Sequence, residues 1–153
     1  MMDHALWQDY LRQLEGLTKT IGQLTEIEKK KTLAVSEGRL DEVEACMRQE
    51  QALSLSLRGF DQKREAMLAR MGLTGVPLRQ LEDHAPDELL METKRTAEKL
   101  RGQYEMFQTA SQVARNTLEC NLRVLEQLQA EAGQAPPAAA GEQGEPGHYD
   151  FRV

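Results

Sequence analysis

Few residues in this chain have types and spacings suited to chemistry. Histidine occurs at His4, His84 and His148, with no second histidine at ligand spacing from any of them. A metal site needs convergent ligands at fixed separations. The acidic group Glu82, Asp83, Asp87 and Glu88, with His84 among it, is densest just before a long helical pattern. Negative charge there complements the helix dipole, so the group is expected to be structural rather than metal-binding. Cys46 and Cys120 lie far apart, both inside helical patterns, and are expected to be reduced, small packing or flank residues. No Gly-rich phosphate loop, nucleophile elbow or paired cysteines at metal spacing occur. The chain is therefore expected to be no enzyme and to hold no cofactor, metal or small-molecule substrate.

Charge and composition narrow the class further. With 19 Lys and Arg against 25 Asp and Glu, the net charge is −6. There is no basic block, which disfavours nucleic acid or an anionic membrane surface as partner. The run Glu28-Lys29-Lys30-Lys31 is expected to be a solvated face near a hairpin tip, with a docking patch as the lesser alternative. The start, Met1-Met2-Asp3-His4, lacks a positive region followed by an apolar run, so no signal peptide is expected. No stretch approaches the ~18 apolar residues of a spanning helix, so no integral membrane segment is expected. A cytoplasmic location fits these features.

The elements that must position any surface are helices. The fold class expected is all-α: an elongated antiparallel coiled-coil or three-long-helix bundle with one short connecting helix and a flexible C-terminal tail. The bundle takes residues 1–132, with helices at about 3–36, 41–71, 77–83 and 87–132, and the tail takes 133–153. The first helix carries Tyr10, Leu14, Leu17, Ile21 and Leu24 in steps of four and three, a coiled-coil spacing. Its later positions Glu28 and Lys31 predict a wetter end, and Gly38 a stop. Asp41 with Glu44 predicts the next helix start. That helix's stripe reads Val43, Met47, Glu50, Leu53 or Ser54, Leu57, Phe60, Arg64, Met67 and Met71, and Gly72 ends it. Leu78 and Leu81 after Pro77 are expected to plug the hairpin end. The methionines Met47, Met67, Met71, Met91 and Met106 lie on or beside apolar stripes and are expected to pack in the core, with an adaptable binding surface as the minority reading.

The last helix has the longest seam: Leu90, Thr93, Ala97, Leu100, Tyr104, Phe107, Ser111, Ala114, Leu118, Asn121, Leu125, Leu128 and Ala132. Beside it, Glu92, Thr96, Lys99 and Gln103 give way to Met106, Ala110, Val113, Thr117, Cys120 and Val124. The apolar face widens at about Met106. A widened face either packs on two helices at once or is left for a partner. If the last helix starts level with the first, its final ~12 residues overhang, at 1.5 Å per residue; a shifted start would make the wide face ordinary core. The tail strands Tyr149 and Phe151 outside any periodic segment, either as a solvated terminus or as a short anchor for the body's own stripe or for a partner.

The order of these pieces resembles the FlgN family of flagellar export chaperones. The matching stretches are Leu24-Thr25-Glu26-Ile27-Glu28-Lys29-Lys30-Lys31, Glu37-Gly38-Arg39-Leu40-Asp41-Glu42-Val43 and Gln49-Glu50-Gln51-Ala52-Leu53. They continue with Arg64-Glu65-Ala66-Met67-Leu68-Ala69-Arg70-Met71-Gly72-Leu73, Asn116, and Asn121-Leu122-Arg123-Val124-Leu125-Glu126-Gln127-Leu128. The likeness covers roughly residues 5–130, and Cys120 departs from the polar residue expected there. The resemblance implies a cytoplasmic, non-enzymatic chaperone that binds C-terminal helical segments of hook–filament junction proteins (FlgK- and FlgL-like) and delivers them to the flagellar export apparatus. It maps partner binding onto Val113, Ala114, Thr117, Leu118, Asn121, Val124, Leu125 and Leu128. The other function class open to these residues is a structural or adaptor coiled coil that homodimerises through the same stripe.

Overall fold

A computed structural model of the chain describes residues 4–133. Three long helices, α1 (His4–Ser36), α2 (Leu40–Arg70) and α3 (Leu90–Glu131), are joined by two 3-10 helices, Leu78–His84 and Asp87–Leu89. The fold is all-α. α1 is the shared member: it packs along both α2 and α3, whereas α2 and α3 have no comparable seam with each other. Consistent with that, Trp7, Tyr10, Leu11, Leu14, Leu17, Ile21 and Leu24 of α1 are all buried. The expected stripe of α1 is thus half of a wider apolar face that serves two neighbours.

The turns follow from two glycines in the left-handed conformation that side chains disfavour. After α1, Gly38 has φ 70°; its N–H donates to Val35 O and that of Arg39 to Ala34 O. After α2, Gly72 has φ 73°; its N–H donates to Ala69 O and that of Leu73 to Leu68 O. Both are Schellman ends, and the second adds contact between buried Leu68 and Leu73. Leu78 and Leu81 are buried in the same cluster as the helices, at the α2–α3 connection.

Local readings differ from the structure at the helix starts. Arg39, not Asp41, caps α2, and without a side-chain hydrogen bond; Asp41 and Glu42 fall in the first turn. Residues 87–89 form a 3-10 turn before α3 begins at Leu90. On α2 the inward residue is Cys46 rather than Met47, which is exposed together with Met91 and Met106. Met67 and Met71 do pack against the core.

Two charged seams correct the expectation of a wet hairpin tip. Glu28, Lys31 and Glu50 turn inward between α1 and α2. Lys31 Nζ lies 3.3 Å from Glu28 Oε2 and 2.5 Å from Glu50 Oε1, and both glutamates are buried. At the opposite end Arg64 is buried, donating to Asp61 Oδ1 at 3.0 Å and hydrogen-bonded to the Tyr10 hydroxyl. Burial pushes that hydroxyl's pKa up, against the pull of Arg64. Between these ends the Phe60 ring covers Gly16 so closely that a Cβ there would come within 2.7 Å of it.

Burial and the facing Glu50 push the Glu28 carboxyl from an ordinary 4.5 up to about 8. The folded chain therefore holds a proton that the unfolded chain releases near pH 4.5. The stability this gives is fully present below that pH and is lost as pH rises through about 8. The loss between pH 5 and pH 8 is expected to be on the order of 3 kcal/mol. Glu28→Gln keeps the shape of the protonated acid and cannot ionise. Urea unfolding of both chains across this window should show the variant losing far less stability than the parent; parallel curves would refute the shared proton.

Candidate partner-binding surface

Hydrogen bonds at both ends of the α1–α3 seam fix its register. The Trp7 ring N–H donates to Thr93 Oγ1 at 2.8 Å, a separation of 86 residues. Asn121 Nδ2 donates to Val35 O at 2.9 Å, again across 86 residues. A constant offset over the length of α1 means that the two helices run parallel and in step. With that offset His4 stands level with Leu90, the first residue of α3, and Ser36 with Leu122. His4 Nε2 is accordingly 3.2 Å from Glu88 Oε2 at the lower end.

α3 has 42 residues and α1 has 33. Starting level, α3 must outrun α1, and residues 123–131 extend about 14 Å past its end. The core-facing direction of α3 does not change there. At ~100° per residue, Leu118, Leu125 and Leu128 lie within about 40° of the direction taken by Ala114. Ala114 is 2% exposed, whereas Leu118 is 44%, Leu125 54% and Leu128 56% exposed. One continuous stripe is thus covered by α1 below and uncovered above.

The residues expected to bind a partner separate accordingly. Val124, Leu125 and Leu128 are exposed on the part of α3 past the end of α1, and Leu118 and Leu122 are exposed beside its last turn. Val113 is also exposed, on the flank beside α1. Ala114 is a correction: it is core, enclosed by α1, and offers nothing to a partner. Asn121 is half-buried and holds a carbonyl at the end of α1. Thr117 is half-buried, its hydroxyl donating to Val113 O at 2.9 Å. Tyr149 and Phe151 lie outside the described residues.

A second surface adjoins the first. A groove of about 540 Å³ runs between α1 and α3, lined by Met106, Ala110, Val113 and Glu105 of α3 and by Lys29 and Thr32 of α1. The widened row on α3 marked one wall in the sequence. The α1 wall was marked only by the lesser reading of the lysine run that holds Lys29, a docking patch rather than a solvated face. Leu122 was also missed, although it stands four residues from Leu118 and three from Leu125.

Among the described residues no three or more His, Cys, Asp or Glu side chains form a metal-holding group. Cys46 is buried and Cys120 exposed, and both are free thiols. No helix among the described residues is long and apolar enough to cross a membrane. Comparison with protein-family models, curated proteins and solved structures finds no match to this chain.

Proposed function

We propose that this chain is a cytoplasmic, non-enzymatic chaperone of the FlgN type. In this reading it binds an amphipathic C-terminal helix of a hook–filament junction protein, FlgK- or FlgL-like, prevents its early assembly and delivers it to the flagellar export apparatus. The order and spacing of the family-like stretches in the sequence support the family. The observation that carries the mode of action is the core stripe of α3 continuing, without cover, past the end of α1. A partner helix laid there would do for Leu125 and Leu128 what α1 does for the turns below.

Magnitudes set the length of that partner. Leu118, Leu122, Val124, Leu125 and Leu128 are each about half exposed, and full burial of such a side chain is worth ~1.5–3 kcal/mol. Covering the remaining half of all five gives about 4–7 kcal/mol gross. Association costs an estimated 4–15 kcal/mol, so the overhang alone is insufficient. A tight partner must also reach the groove lined by Met106 and Val113. Spanning 106–128 takes an antiparallel or parallel helix of ~22 residues, about 33 Å.

Light scattering after size exclusion tests this. The free chain is expected to run as a monomer and to shift to a 1:1 complex with a ~22-residue peptide from a junction-protein C-terminus. A peptide of half that length is expected to leave it unshifted. A stable homodimer that ignores both peptides would replace the chaperone by the self-associating coiled coil.

A further inference from the structure

Twenty residues follow Gly133, the last described residue. Gly133 has φ 75° and its N–H donates to Ala130 O. This is the left-handed end that turns the chain back after α1 and again after α2. The chain therefore leaves α3 at the outer end of its uncovered stripe, through the turn type that elsewhere reverses its course.

The sequence beyond holds one strongly patterned piece, Tyr149-Asp150-Phe151-Arg152-Val153. Apolar and charged residues alternate with period two, so an extended backbone would set Tyr149, Phe151 and Val153 on one side. The lining of the α1–α3 groove includes apolar Met106, Ala110 and Val113 together with a cation, Lys29, and an anion, Glu105. Lys29 also makes an exposed contact to Glu26 at 3.4 Å. Asp150 and Arg152 supply charges opposite to those of Lys29 and Glu105.

Length permits the contact. From Gly133 back to Met106 is 27 residues of α3, about 40 Å. From Gly133 to Tyr149 is sixteen residues, which span at most ~53–58 Å when extended. The tether reaches the groove with slack.

We infer that residues 149–153 occupy the groove between α1 and α3 of their own chain, with Tyr149 and Phe151 against its apolar lining of Met106, Ala110 and Val113 and with Asp150 and Arg152 favoured by the opposite charges of Lys29 and Glu105. The contact covers the part of α3 that a tight partner needs and leaves the overhang open, so a partner helix must displace it. It goes beyond the chaperone reading and does not depend on it, because the occupant belongs to the same chain.

The test uses a fluorescent peptide of residues 147–153, read by anisotropy against the full chain and a chain ending at Gly133. The shortened chain keeps all the described helices, so its circular dichroism is expected to match the parent's, while its melting point is expected to fall by a few degrees because the docked tail no longer stabilises the folded chain. It is expected to bind the peptide, with the full chain binding about tenfold or more weakly, because the tethered copy competes at ~mM effective concentration. Val113→Asp in the shortened chain and Phe151→Ala in the peptide are each expected to reduce binding about tenfold, at 1.4 kcal/mol per decade. Leu55→Asp, on an exposed part of α2, is expected to leave it unchanged. Equal binding to both chains, no binding to the shortened chain, or equal losses from Val113→Asp and Leu55→Asp would each overturn the inference. So would a shortened chain that ignores the peptide and dimerises through Val113, which would make a second copy the occupant. None of these readings involves a flagellar partner, so failure here and failure of the chaperone reading are separately visible.

Discussion

Replacing Leu125 and Leu128 together by Asp is expected to leave the helical bundle intact and to abolish partner capture. Both side chains are more than half exposed and stand beyond the level of Ser36, so no neighbour loses a contact. Surface substitutions of this kind change stability by about 0.5 kcal/mol or less. Binding is different. Each Asp removes apolar area that the partner would cover and places a carboxylate where it must be desolvated. A loss of about 3 kcal/mol, or ~100-fold in affinity, is a low estimate for the pair. The measurement is titration of the ~22-residue peptide beside a thermal melt. Loss of helicity would make these residues core; unchanged affinity would remove the overhang from the binding surface.

The opposite balance is expected at the other end of the same seam. Trp7 is fully buried, and its ring N–H bonds to Thr93 Oγ1, which in turn donates to Leu89 O at 2.7 Å. Its ring centroid is 6.2 Å from that of Tyr10. Trp7→Ala is expected to cost about 3–5 kcal/mol, as large-to-small core changes do. That is a large part of the 5–15 kcal/mol typical of a whole domain. Trp7→Phe retains most of the ring packing and drops the donor, so the hydrogen bond's share, about 1 kcal/mol, can be read by difference. Denaturant midpoints of the three chains measure both. If Trp7→Ala is tolerated within 1 kcal/mol, the lower α1–α3 seam is not what holds the helices in step.

Much of this was legible because coiled-coil spacing states which residues share a face. Tyr10, Leu14, Leu17, Ile21 and Leu24 are buried as that spacing requires. Gly38 and Gly72 end helices for the reason their conformation gives. What spacing does not state is the occupant of the facing position. Glu28 and Lys31 continue the buried row of α1 in steps of four and three after Leu24, yet their charges read as solvent-facing. They point inward because Glu50 occupies the same level of α2: Lys31 pairs with the Glu50 carboxylate, and Glu28 is buried beside them as the protonated acid. Three charges of mixed sign on facing seams were the available signal.

The candidate site was legible in its apolar row and less so in its limits. Ala114 and Leu125 occupy equivalent seam positions, and no property of Ala or Leu tells which is covered. The difference comes from where α1 stops relative to α3, which is set by the Trp7–Thr93 and Val35–Asn121 pairs. Those contacts join residues 86 positions apart, beyond anything a local pattern can express.

The same 86-residue offset has a consequence during synthesis. The α1–α2 hairpin has its members early and close together. The face of α1 that takes α3 does not. At ~5–20 residues per second, Trp7 emerges about 4–17 s before Thr93. For that interval the nascent chain carries an unpaired apolar row along a helix about 50 Å long. The protein is born in the condition in which a chaperone finds its clients, and completes itself only when its own third helix arrives to lie parallel to the first.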